Sequence, residues 1–207
     1  MVVVCVAFRW IAPRRDVRSW LSLASAYTAL GLMAGTLVIG PCHVLTRRAV
    51  PTSFDLRRDV GIWAGALALF HTVVGLTVHM RGRMWKYFLH ALDPPRMRWD
   101  LFGLANHSGL LAGLLLVGLL ALSNDLSLRR LGTSRWKALQ RWTYVAFVLM
   151  VVHGVLYQTV EKRALAGWVI LLAVAAATAI LQIAAARRVF SRSRAAVFVA
   201  STSTGRG

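Results

Sequence analysis

The chain has 207 residues, 57% of them hydrophobic, with 25 Lys and Arg against 7 Asp and Glu and a formal net charge of +18. A soluble domain usually has an apolar share nearer half, and this chain has too little polar surface to cover what it would have to bury. The basic excess would suit nucleic acid, but it falls between apolar runs, in clusters such as TRR, DLRRD, RGRMWK and ARRVFSRSR. Membrane proteins keep basic residues there, facing anionic headgroups, so lipid is the expected partner and nucleic acid is not.

Residues 1–19 open with MVVVCVAFRWIA, apolar but too short to span, with Arg9 after the apolar start where a signal peptide would carry its charge before it. They read as a separate N-terminal segment, a truncated helix or an interfacial stretch. Five runs free of Asp, Glu, Lys and Arg follow, at 20–45, 60–80, 101–123, 142–159 and 164–186. A membrane-crossing helix needs about 20 mostly apolar residues, so each run predicts one span. The fold class is all-α: a polytopic bundle of about five transmembrane helices forming one domain over 20–186. The stretches at 46–59, 81–100 and 124–141 read as loops, and 187–207 as a basic, disordered tail. Trp85, Tyr87, Trp99, Trp136, Trp142 and Trp168 suit interfacial anchoring. The spacings Gly61/Gly65 and Gly109/Gly113 suit helix-packing notches.

Basic residues divide unevenly between the two faces. The stretch at 46–59, the stretch at 124–141 and the tail hold 14 Lys and Arg; the N-terminus, 81–100 and 160–163 hold 11. The richer set is expected on the cytoplasmic side. Cys5 and Cys42 form neither a C-x-x-C pair nor a C-x-x-C-H site for covalent haem. There is no G-x-G-x-x-G pattern and no strand–helix alternation, so no nucleotide-binding module is expected.

Two histidines lie in mid-span. His71 sits in ALALFHTVVG, twelve residues past Asp59, and His153 in VLMVVHGVLY, twelve past Arg141. Spans two and four run in the same direction, so both imidazoles fall about 18 Å from the same face at 1.5 Å per residue. An ionisable group at that depth is expensive and points to function. Equal depth on parallel helices lets two imidazoles approach one iron from opposite sides. Gly75, one turn past His71, and Gly154, beside His153, offer room for a porphyrin. The plainer account is that each histidine hydrogen-bonds a neighbouring helix.

These residues carry a resemblance. LRRDVGIWAGALALFHTVVGLTVHM and RRLGTSRWKALQRWTYVAFVLMVVHGVLY are similar to the ferric reductase-like transmembrane domain family, over roughly residues 30–160. Within that family the chain is most similar to the haem-binding membrane subunits of periplasmic methionine sulfoxide reductase systems. The resemblance implies a b-type haem held between parallel helices by His71 and His153. It also implies electron transfer across a bacterial inner membrane, as the electron-transfer subunit of an oxidoreductase. The donor would be a quinol or a separate flavoprotein, with quinone or FMN as further cofactors. The acceptor would be an outer-side reductase subunit or ferric iron. Family members commonly carry a second histidine thirteen residues before the one matching His153, and oxidases carry one fourteen before the one matching His71. Here those positions are Gln140 and Arg57, which are poor iron ligands, so one haem is expected rather than two. The family's usual leading helix is missing or truncated.

Weaker candidates remain. His79 and His107 fall near the outer ends of spans two and three and are candidates for an outer quinone or metal site, against partly solvated interfacial histidines. Arg129, Arg130 and Arg135 are candidates for docking a donor, against a lipid-facing basic loop. His43 and His90 take the plain reading. The alternative function is a haem-free transporter or a structural subunit whose histidines bind metal. The absence of Asp or Glu from the five runs argues against a proton or cation pathway.

Overall fold

The computed structural model describes residues 16–46, 54–80, 83–92 and 94–203, with side chains placed as far as Arg192. Six α-helices follow one another: α1 Val17–Thr46, α2 Phe54–Val78, α3 Leu101–Leu122, α4 Asp125–Gln140, α5 Trp142–Val160 and α6 Leu165–Ser203. Between α2 and α3 lie a 3₁₀ turn, Met84–Tyr87, and a two-stranded antiparallel ribbon in which β1 Leu89–His90 pairs with β2 Arg96–Met97. Five helical stretches are long and apolar enough to cross a membrane, and they carry the five uncharged runs. The chain is an integral membrane protein with an all-α polytopic fold.

Small residues let these helices approach closely. Ala64 and Ala68 of α2 and Ala146 of α5 are buried with Leu30, Met33 and Leu37 of α1, Leu116 and Leu119 of α3, Phe147 and Leu171. Lipid is as apolar as leucine, so what holds these faces together is close packing and interhelical hydrogen bonds. The expected notches are used that way: Gly61 lies against Thr36, and Gly65 against Leu120. Polar ties run from α6 to α1, where Gln182 donates to the Leu37 carbonyl at 2.8 Å and Arg188 to the Leu45 carbonyl at 2.5 Å.

Two stretches expected as loops are built otherwise. Residues 125–140 form α4, which opens on an Asn124 cap whose side chain accepts from Ser127 N at 2.8 Å. Gly132 breaks the helix at φ 72°, ψ 158°, a left-handed conformation that glycine reaches without steric cost. Trp136 is buried and donates to the Leu122 carbonyl at 2.8 Å, so it holds α4 to the end of α3 instead of anchoring in headgroups. The 83–100 connection carries Tyr87, also expected as an interfacial anchor but only 1% exposed. At the far end α6 continues to Ser203, through much of the stretch expected as a disordered tail. Residues 1–15 and 204–207 lie outside the described residues.

Asp100 starts α3. Its carboxylate accepts from Gly103 N at 2.7 Å and from Arg98 at 2.6 Å. These partners, Arg98 first, hold its carboxyl below the usual carboxylate range. The cap is therefore complete above the usual carboxylate range and is lost as pH falls through the lowered value.

Candidate functional site

His71 on α2 and His153 on α5 come together across the bundle. Their ring centroids are 6.0 Å apart and their planes meet at 76°. Each ring is fixed by the helix behind it. The Nδ1 of His71 lies 2.8 Å from the Ser22 carbonyl and 3.3 Å from the Ser22 hydroxyl on α1; that of His153 lies 2.7 Å from the Ala105 carbonyl on α3. A carbonyl can only accept, so Nδ1 donates in both rings. In a neutral imidazole that leaves the Nε2 lone pair bare. This is the outer-shell arrangement that orients metal-binding histidines and fixes their tautomer.

Both rings line a cavity of about 190 Å³ between the helices. Gly75 and Gly154, expected to give room there, are in its wall, and a Cβ on Gly154 would stand 3.1 Å from the Leu171 side chain of α6. The closest approach of a cavity-lining glycine is one the sequence did not single out for this role. A Cβ on Gly109 would stand 2.5 Å from Nδ1 and 2.6 Å from Cε1 of His153, so the ring lies directly on the α3 backbone. The only signal in the sequence was the Gly109/Gly113 spacing, which fits any helix-packing notch.

The end of the cavity nearest the α5–α6 turn is polar. Tyr157 rings His153 at 4.9 Å and donates to Asn106 Oδ1 at 2.7 Å. Gln158 donates to the Tyr27 hydroxyl, which donates on to the Gly167 carbonyl. His79 Nε2 lies 3.2 Å from Glu161, and the Arg163 guanidinium lies 5.8 Å from the Tyr157 ring centroid. None of these partners was singled out from the sequence apart from His79.

Tyr87 closes the same end. Its hydroxyl accepts from His79 N at 2.8 Å and donates to the Gly75 carbonyl at 3.1 Å, satisfying one backbone group in the last turn of α2 and one just past it. Burial pushes its pKa up, so the phenol remains a donor at neutral pH. Tyr87→Phe should lower stability by about 1–3 kcal/mol, because both backbone groups lose their partner; a thermal melt in detergent with no change in midpoint would refute this.

His107 is placed apart from His79. Its Nε2 is 3.1 Å from the Arg98 carbonyl, and its ring packs on Phe88 and Trp99 at 5.6 and 5.5 Å. His79 lines the cavity and His107 does not, and no group of three or more His, Cys, Asp or Glu suited to a metal occurs among the described residues. His43 is exposed and His90 half-buried in β1. Arg57 is exposed, and Gln140 reaches Ser123 at 3.4 Å, tying the end of α4 to the end of α3. Arg129, Arg130 and Arg135 are exposed on α4.

The sequence profile of the family described as "Ferric reductase like transmembrane component" matches residues 25–151. The chain belongs to that family. The match takes in His71 and ends two residues short of His153, so the family and the cavity geometry bear on the pair from different sides. No curated protein matches the chain. Membership in a ferric reductase-like transmembrane family points to a membrane electron-transfer role.

Proposed function

We propose that the chain is a haem b protein that carries electrons across a bacterial inner membrane. The supporting observation is the histidine pair, 6.0 Å apart with both Nδ1 atoms committed to backbone carbonyls. A metal–imidazole bond is about 2 Å, so two rings on opposite sides of one ion have centroids roughly 6 Å apart. The pair fits that requirement. Gly75 and Gly109 keep side chains out of the wall beside the rings.

His71 and His153 hold the group through Nε2. Ser22 and Ala105 hold the rings in orientation, and the aliphatic wall of Leu30, Ala68, Leu116 and Met150 excludes water and so biases the potential. Bound there, haem b supplies reversible one-electron chemistry. The donor is a quinol or a separate flavoprotein, reached on the side of the basic helix α4. The acceptor lies on the other side: a periplasmic reductase subunit, as the likeness to the methionine sulfoxide reductase system suggests, or ferric iron.

The test is a visible spectrum of the protein purified with haem supplied, followed by a pyridine haemochrome assay. A low-spin b-type spectrum with close to one haem per chain is expected, since Gln140 and Arg57 stand where a second pair of ligands would be. A colourless protein that binds a divalent metal instead would return the site to the haem-free alternative. Joint replacement of Arg129, Arg130 and Arg135 by Gln should slow reduction by a soluble donor several-fold and leave the spectrum unchanged, because only long-range attraction is removed; an unchanged rate would remove α4 from the docking surface.

A further inference from the structure

Two hydrogen bonds at successive turns of α5 hold it to α3. His153 donates to the Ala105 carbonyl and Tyr157, four residues on, to Asn106 Oδ1, each at 2.7 Å. Residues four apart share one face of a helix, so the two bonds together fix how α5 is turned about its axis, which one bond alone does not. The second tie is built outward from the backbone. Asn106 is buried, and its Nδ2 donates to the Phe102 carbonyl at 2.7 Å. A carbonyl can only accept, so the amide presents Oδ1 to Tyr157, and the phenol must donate. The phenol ring placed in this way lies between Phe102 at 6.0 Å and His153 at 4.9 Å. The bond to Ala105 sets which nitrogen of His153 is bare; the direction from which that nitrogen reaches into the cavity depends on how α5 is turned.

We propose that Tyr157 is a positioning residue: its hydroxyl, through Asn106, holds α5 in the rotation that points His153 Nε2 into the cavity. This rests on the haem reading. Neither Tyr157 nor Asn106 supplies a ligand in it; both act through the imidazole beside them.

The experiment exposes the haem-loaded, dithionite-reduced protein in detergent to carbon monoxide, which binds ferrous iron only where an axial imidazole gives way. Tyr157→Phe keeps the ring and removes the tie. It should take up carbon monoxide on the order of tenfold faster than the wild type, the low end of what losing an outer-shell partner does to a metal site. Asn106→Leu breaks the same tie from the other side and should do the same, and the double variant should add nothing to either. Each single variant leaves one buried polar group without a partner and should melt earlier. The double variant leaves neither, so its melt should recover while its uptake stays fast, a separation that a merely structural bond does not give. Tyr144→Phe, at an exposed position on the same helix, should match the wild type throughout. If Tyr157→Phe does not fold, Asn106→Leu and the double variant decide. Wild-type uptake in both single variants, or a double variant restored in melt and uptake alike, overturns the assignment and leaves the haem reading standing. A wild type that binds no haem overturns both.

Discussion

Alanine at His71 or at His153 is expected to abolish the low-spin haem spectrum, each alone and to the same degree. One imidazole cannot complete a six-coordinate low-spin iron, and the described cavity wall offers no substitute close by. Tyr157 is the nearest aromatic neighbour of His153, but its hydroxyl is committed to Asn106. His79 lies two turns past His71 and is engaged with Glu161. Loss of outer-shell partners alone typically costs 10–100-fold in metal affinity, so loss of a ligand should cost more, and haem should be largely absent after purification. The folded helices should survive, since each ring is half-buried and tied to the bundle chiefly through one helix carbonyl. A melt of the haem-free variants matching that of haem-free wild type separates lost ligation from lost folding. Wild-type spectra from both variants would end the assignment.

The spans were legible because a bilayer imposes a length. A run of about 20 uncharged residues has few other uses, and α1, α2, α3, α5 and α6 each contain one. Helix α4 was not legible. Its arginines and lysine dominate any reading by charge, while its structural content is a capping asparagine, a left-handed Gly132 and the single buried Trp136. Tyr87 and Trp136 were misread for a related reason: the sequence gives an aromatic residue's depth near a headgroup boundary but not the way it faces. The same limit divides the site. Depth along the helix placed His71 beside His153, because rise per residue is fixed. Rotation about the helix axis is set by packing, so the sequence did not show that α1 and α3 carbonyls hold the two rings. Nor did it show that His79 lines the cavity while His107 turns to Arg98.

Gly109→Ala should remove most of the haem and lower the melting temperature, while Gly118→Ala on the same helix should do neither. A methyl at Gly109 would stand 2.5 Å from His153 Nδ1 and 2.6 Å from Cε1, closer than any real contact, so the imidazole or the helix must move. Moving the ring breaks its 2.7 Å hydrogen bond to the Ala105 carbonyl one turn earlier on α3, and with it the orientation of Nε2. Helix propensity works in the opposite direction, since alanine is favoured over glycine by about 1 kcal/mol. Overpacking a fitted site costs about 1–3 kcal/mol, and the hydrogen bond adds about 1 kcal/mol more, so the steric loss prevails at Gly109. At Gly118 nothing lies within 4 Å of the new methyl, and only the small propensity gain remains. The two variants therefore differ in sign although the substitution is identical. A Gly109→Ala protein that binds haem and melts like the wild type would mean that His153 is not seated against α3, and the orientation given to its Nε2 would fall with that contact.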